Sequence, residues 1–378
     1  MGRTALLALG LLLLAAACPP SVRPASAQAI AGQTSPANDR FVPDPPGVTV
    51  TEWAKGLNIP WSIVFLPDAR ALVSERRGRI LLVDRTGQVS RDPYATFNVL
   101  ARGEAGLMGL ALDPGFPQRP YVYAMMSRRD GNREVSAIVR LRHDGDRGTV
   151  ERTIFDGIPV GPVHEGGRIA FGPDRLLYVG TGDTARPNLA ADRNSLGGKV
   201  LRITRDGEIP PDNPFPNSPV YSYGHRNIQG LAWHPASHAL YVSEHGPSGE
   251  FGLHGRDELN RIMPGGNYGW PVGTCGLHRE GLIDPLICWP EPAIAPSGIT
   301  FQGDDLYVAA LRGTALLRIQ IGSDGTPGDV ERWFVSAAQN GRYGRLRDVV
   351  VGPDRALYVL TNNWSGSGGD RVLRLTRR

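Results

Sequence analysis

The sequence predicts an all-β protein, a six-bladed β-propeller of four-stranded antiparallel blades, on three observations: dispersed turn residues, a repeated half-unit, and a last strand placed to close a ring. The chain has 378 residues, of which 48 are Gly and 32 are Pro, spread along its length. That composition suits many short strands joined by turns and opposes long helices. A chain of this length can hold two or three average domains, but closed all-β rings often use it as one.

The repeat recurs at an irregular period of roughly 45 to 70 residues, the range of propeller blades. Its first half reads apolar, turn, apolar: Phe65-Leu66-Pro67-Asp68 to Leu72-Val73, Leu112-Asp113-Pro114 to Tyr121-Val122, and Phe171-Gly172-Pro173-Asp174 to Tyr178-Val179. It continues as Trp233-His234-Pro235 to Tyr241-Val242, Phe301-Gln302-Gly303-Asp304 to Tyr307-Val308, and Val351-Gly352-Pro353-Asp354 to Tyr358-Val359. Pro-Asp or its equivalent makes a hairpin turn, and the flanking β-branched and aromatic residues make paired strands. The second half is a shorter strand in each unit, from Arg79-Ile80-Leu81-Leu82 in the first to Val372-Leu373-Arg374-Leu375 in the last. A small sheet cannot bury its own faces, but six packed radially can. The last strand ends almost at the C-terminus, so the early strand at residues 48–53 is expected to complete a blade with it. A sandwich would not explain twelve matched half-units.

Met1-Gly2-Arg3 carries a positive charge ahead of an apolar run at residues 5–17, too short to span a membrane but suited to a secretory signal. Ala25-Ser26-Ala27 fits cleavage before Gln28, giving a signal peptide at 1–27 and a periplasmic or secreted protein with no transmembrane segment. The competing reading makes Cys18, after Ala15-Ala16-Ala17, a lipidated N-terminus. Residues 28–46, rich in Pro, Ala, Ser, Asn and Gln, are expected to form a flexible leader before a propeller domain at 47–378. Losing Cys18 leaves Cys275 and Cys288, an even pair in an oxidising compartment, where a disulfide persists. The formal charge of +4 and the lack of a basic run interleaved with aromatics exclude a nucleic-acid surface.

Function on a propeller lies in the loops at one mouth of its channel. His164, in Val163-His164-Glu165-Gly166-Gly167-Arg168 just before an inner strand, can point into the channel and take a proton from an alcohol, or serve structurally. Arg226 beside Asn227 suits a flat, oxygen-rich anion. Arg345 and Arg347 share one side of a strand by alternation, and Arg312 follows the strand expected at residues 306–310. Each arginine can instead pair with a nearby carboxylate such as Asp348. The stretch 243–270 combines carboxylates with Gly/Pro turns that expose carbonyl oxygens, the ligands of a hard cation such as calcium. No zinc spacing, Gly-x-Ser-x-Gly elbow or Gly-x-Gly-x-x-Gly fingerprint occurs, which disfavours nicotinamide and serine-nucleophile chemistry.

From residue 48 to the C-terminus the motifs, in order, resemble those of the glucose/sorbosone dehydrogenases that use pyrroloquinoline quinone (PQQ), soluble aldose dehydrogenases on a six-bladed propeller. The carriers are residues 103–109 (Gly103-Glu104-Ala105-Gly106-Leu107-Met108-Gly109), 164–168, Gly224-His225-Arg226-Asn227-Ile228-Gln229-Gly230, Glu244-His245-Gly246-Pro247, Asp257-Glu258, Asn267-Tyr268-Gly269-Trp270-Pro271, Pro296-Ser297-Gly298 and Arg345-Leu346-Arg347-Asp348.

The resemblance implies that His164 is the general base, that Arg226 and Asn227 hold the quinone, and that Arg345 and Arg347 meet its carboxylates. It implies calcium on the backbone oxygens of Gly246 and Pro247, a second calcium near Glu258 and the Tyr268 carbonyl, and Arg312 in place of a basic residue that is often Lys. It also implies an aldose oxidised to its lactone, with hydride passing to the quinone and electrons to an external acceptor. Three positions depart from the family: Glu104 where Gln is frequent, Val163 where an acid can precede the histidine, and Arg279 where some relatives carry a cofactor-contacting Tyr. Two other classes fit a propeller with a metal-lined channel. One is a calcium-dependent lactonase, which has no use for the arginine set; the other is a non-catalytic glycan-binding propeller without quinone affinity.

Overall fold

The computed structural model describes residues 1, 35–36, 38–338, 340–363 and 366–377. The expected signal-peptide core, its cleavage site, Cys18 and the leader as far as residue 34 lie outside the described residues. Among the described residues no helix is long and apolar enough to cross a membrane.

Six antiparallel sheets follow one another along the chain. Their inner strands are Pro60–Phe65, Leu107–Leu112, Gly166–Phe171, Ile228–Trp233, Pro296–Gln302 and Leu346–Val351. Each packs on the inner strands of the blades before and after it, and the last packs on the first, which closes the ring. The turns that define the repeat work as their residues predict. Asp68, Asp174 and Asp354 each accept a hydrogen bond from the N–H two residues on, at 3.1 Å. The intervening Ala69, Arg175 and Arg355 take φ of 69°, 64° and 63°, the Asx geometry that reverses the chain.

Asp370–Arg377 pairs antiparallel with Val48–Leu57, running from Asp370 opposite Leu57 to Arg377 opposite Val48, so the N-terminal strand completes the last blade as expected. Among the described residues six hydrophobic clusters hold the ring together, five drawn from two neighbouring blades and the sixth, between the second and third blades, reaching Trp61 of the first as well. The closing junction buries Leu57, Ile63, Val73, Leu360 and Val372 together.

Part of the expected leader is structured. Asp39–Val42 pairs parallel with Pro327–Trp333, and Ser35–Pro36 pairs with Ile287–Trp289, so the fourth and fifth blades carry an added outer strand. Asp39 accepts a hydrogen bond from the Trp289 indole at 3.2 Å and pairs with Arg332, while Arg40 pairs with Glu331. Ladder bonds and charges on an open sheet edge hold this segment, and Val42 adds apolar burial in the cluster between the fifth and sixth blades.

All six inner strands share one irregularity: each pairing ladder skips one or two residues near the strand start. A bulge re-aims the residues it contains. The skipped positions are Trp61, Met108-Gly109, Gly167-Arg168, Gln229, Ser297-Gly298 and Arg347, and several of them build the site.

Candidate active site

His164 sits just before the third inner strand with φ 62° and is 7% exposed. Gly182 must be glycine for this loop to pack, since a Cβ there would lie 1.9 Å from the His164 carbonyl oxygen. The Nδ1 atom is 2.8 Å from Oδ1 of the fully buried Asp183, and Nε2 is 2.8 Å from Nη2 of Arg226. An arginine can only donate and an ionised carboxylate can only accept. The imidazole therefore carries its proton on Nδ1, toward Asp183, and offers a lone pair on Nε2. The second oxygen of Asp183 accepts the Trp270 indole N–H at 2.7 Å, fixing the carboxylate that fixes the histidine.

Glu104 accepts hydrogen bonds from the His164 backbone N–H at 2.9 Å and from Asn227 Nδ2 at 3.2 Å. Arg226 donates to the His245 carbonyl at 3.1 Å and to Glu250 at 2.5 Å, with its guanidinium 5.6 Å from the Trp270 ring centre. Four of the expected residues, His164, Glu104, Arg226 and Asn227, thus form one connected group, although they come from three blades.

A second group occupies the channel axis and consists largely of bulge residues. Arg347 donates to Gln229 Oε1 at 2.9 Å and to Ser297 Oγ at 3.4 Å, while Arg168 donates to the Gln229 carbonyl at 3.0 Å. Trp61 lies beneath both guanidiniums, 4.4 Å from Arg168 and 5.5 Å from Arg347. Asp348 is spent on Arg168, at 2.8 Å, and not on the Arg345 and Arg347 beside it in sequence. Burial, with Arg345 and Arg168 close by, pulls Arg347 down to about 9. Its Nε is buried without a partner, as are Arg168 Nη2 and His245 Nε2.

Half-buried Arg345 is held on the Asn362 carbonyl at 3.1 Å, and its charge reaches Arg347. The structure does not bring Arg312 into either group: it is exposed, and its backbone N–H bonds to the Ile294 carbonyl. A basic residue on a loop can reach a channel only if the loop folds inward, which sequence position does not specify. Arg279 is likewise exposed, inside the loop closed by the Cys275–Cys288 disulfide.

Gly246, Pro247, Glu258 and Tyr268 all line one small cavity beside Arg226 and Trp270, where two separate cation sites were expected. Asp257 ties this region down, accepting N–H groups from Gly246, Ile294 and Ala295 at 2.7–2.9 Å. Among the described residues no protein donor bonds to the carbonyls of Gly246, Pro247 or Tyr268. Both Glu258 oxygens are engaged, by Thr274 and Cys275 on one side and Asn260 on the other. Burial and the neighbouring Glu244 push its pKa up.

The sequence model of the glucose/sorbosone dehydrogenases matches residues 57–374. The chain belongs to this family. It is similar to the aldose sugar dehydrogenase of Escherichia coli, with 32% identity over 355 residues, covering 85% of this chain and 92% of that protein. A solved structure described as a putative oxidoreductase (glucose dehydrogenase) from Thermus thermophilus is 50% identical, with a TM-score of 0.81 over 87% of this chain and 100% of that one. The PQQ-bound aldose sugar dehydrogenase from Streptomyces coelicolor is 40% identical, with a TM-score of 0.78 over 89% of this chain and 100% of that one.

Within this glucose/sorbosone dehydrogenase, the sequence alone assigned no role to Asp183 or Trp61, nor to Trp270, Arg168 and Gln229, although these last three lie in the motifs that carry the resemblance. One signal was available: Arg168 is a charge inside the otherwise apolar strand Gly166–Phe171, which is 6% exposed in the structure. Buried charges rarely occur without a specific partner.

Proposed function

We propose that this chain oxidises an aldose to its lactone with PQQ and calcium, His164 acting as general base. The observation that carries the reading is the proton placement on His164, with Asp183 holding Nδ1–H and leaving the Nε2 lone pair toward Arg226. That is the form required of a base that takes the anomeric hydroxyl proton.

The axial group fits a flat anion with several oxygens. Arg347 Nε and Arg168 Nη2 are buried donors without a partner, a costly state that an anionic oxygen relieves. Arg226, Asn227, Arg345 and Arg347 would hold the quinone, with Arg312 contributing only from the surface. The Gly246 and Pro247 carbonyls, free of protein donors, suit a hard cation. A second calcium at Glu258 and Tyr268 has less support, because protein donors already engage both Glu258 oxygens. PQQ bound there would supply a hydride-accepting carbonyl, and calcium would supply Lewis-acid polarisation. Asp183 then steadies the imidazolium that forms, and Glu104 orients His164 and Asn227 through its two hydrogen bonds. Electrons leave to an external acceptor. The Cys275–Cys288 disulfide supports an oxidising compartment, periplasmic or extracellular.

The test is to titrate apo-protein with PQQ in calcium and then assay dye-linked oxidation across a panel of aldoses. Saturable quinone binding with sugar-dependent dye reduction is expected. Untouched sugars alongside hydrolysis of a lactone would overturn the reading in favour of a propeller lactonase.

A further inference from the structure

The short turn Glu250–Gly252 brings a carboxylate near His164, followed in sequence by an exposed aromatic ring. Phe251 is held at φ 55° and is 68% exposed. A bulky residue at positive φ is strained, and an exposed ring gains no core packing to offset that strain. Its one ring contact among the described residues is Trp270, with centroids 5.8 Å apart and planes tilted by 63°. Trp270 in turn holds Asp183, the residue that fixes His164.

On the other side of the turn, Glu250 Oε1 accepts from Arg226 Nη2 at 2.5 Å and Nε at 3.2 Å and lies 3.8 Å from His164 Nε2. Its other oxygen accepts the Ser248 N–H at 2.6 Å. Burial opposes its ionisation, but Arg226 and the backbone N–H groups outweigh this and keep the carboxyl below its ordinary range. A carboxylate thus stands 3.8 Å from the nitrogen assigned to take the substrate proton, and the residue beside it presents an open aromatic face packed on Trp270.

We propose that Phe251 and Glu250 form the substrate-recognition element, which selects neutral aldoses over uronic acids. A pyranose is amphipathic: its axial C–H bonds form an apolar face and its hydroxyls are donors. The Phe251 ring receives the apolar face, as aromatic rings do at sites with one wet side. Glu250 keeps lone pairs for sugar hydroxyls beyond those used by Arg226 and Ser248. A sugar carboxylate would meet Glu250 across a partly buried gap, where like charges repel strongly. Arg226 adds little attraction for a sugar carboxylate, since its charge is already paired with Glu250 at 2.5 Å and its remaining reach is assigned to the quinone.

The assignment rests on the sugar-oxidation reading, so wild-type holoenzyme is measured first, with a neutral aldohexose and the uronic acid of the same configuration. Phe251→Ala should raise KM for the neutral sugar about threefold to tenfold, more than it lowers kcat, and Phe251→Tyr should restore it. Glu250→Gln should shift the ratio of kcat/KM toward the uronic acid by on the order of tenfold or more. The Kd for PQQ, read by titration of each apo-variant, separates substrate recognition from a role in placing Arg226. A Glu250→Gln variant with weakened PQQ binding and an unchanged sugar ratio overturns the assignment. So does a Phe251→Ala variant with wild-type KM for sugar, or one whose defect lies only with the electron acceptor. A wild-type enzyme that oxidises no aldose overturns the dehydrogenase reading itself, a result distinct from active wild type with indifferent variants.

Discussion

The chemistry proposed for His164 depends on a proton that Asp183 holds at Nδ1, which leaves at Nε2 the lone pair that Arg226 Nη2 meets at 2.8 Å. His164→Gln keeps size and some hydrogen bonding but removes the base. PQQ should still bind, and quinone reduction in a single turnover with sugar should slow about a hundred- to ten-thousand-fold. A rate within about threefold of wild type would make His164 structural. Its neighbour Glu165 offers a test of stability. Glu165 is 1% exposed, Oε2 has no partner, and burial pushes its pKa up to about 8 from 4.5. The folded state therefore holds a proton that the unfolded chain has lost, so stability falls as pH rises through the window between 4.5 and about 8. Glu165→Gln should match wild type near about pH 4 and exceed it near about pH 9, by up to a few kcal/mol. Denaturant midpoints at the two pH values check this; equal gains at both would contradict it. His164, Glu104, Arg226 and Asn227 were legible because their motifs lie just ahead of inner strands, where the chain enters the channel mouth. Asp183 and Trp270 were not, because their role is to hold another side chain, and only folding reveals that neighbour.

At the scale of the strand, the bulge is the device that builds the axial group. Regular alternation predicts which residues share a face, but a skipped residue breaks that alternation, and no sequence pattern marked where it would fall. Arg347 and Gln229 are each the single skipped residue of their strand, and they meet at 2.9 Å across the channel. Where neighbouring blades approach closely beside these residues, small side chains are required. At Gly298, part of the fifth bulge, a Cβ would lie 1.9 Å from Asp348 Oδ1 and 2.8 Å from Asp348 Cα. Gly298→Ala must therefore push apart the junction of the fifth and sixth blades and disturb the Asp348–Arg168 pair. Overpacking of this kind costs about 1 to 3 kcal/mol, and the melting temperature should fall accordingly. PQQ affinity should fall with it, because Arg347 neighbours Asp348 and Ser297 neighbours Gly298. A lowered melting temperature with unchanged quinone affinity would separate the bulge from the site.

For the whole ring, the decisive interaction joins the two ends of the chain. The repeat made six blades legible, and the short distance from the last strand to the C-terminus pointed to an N-terminal partner. What the repeat did not carry was the pair of added edge strands, since they match no blade position. The closing strand Val48–Leu57 contributes the ladder to Asp370–Arg377 and places Ala54 and Leu57 in the cluster between the sixth and first blades. Without it, the sixth blade keeps three strands and the hydrophobic junction to the first blade is exposed. A chain beginning at residue 58 should therefore lose its near-UV circular dichroism and its single cooperative melting transition. Truncation alone cannot distinguish ring closure from general damage, so a circular permutant is the control. Val48 stands opposite Arg377, so a short linker can join these ends, and new termini can be opened at the exposed turn at residues 131–132. The permutant keeps the ladders of the six four-stranded blades but loses the edge strands Ser35–Pro36 and Asp39–Val42, so its reference is a chain beginning at residue 48 in the natural order. It should melt cooperatively within a few degrees of that reference, a shift that corresponds to about 1 kcal/mol for a large domain. If the permutant fails while the truncated chain folds, the ring is held by chain continuity through the first blade and not by the strand that the two termini share.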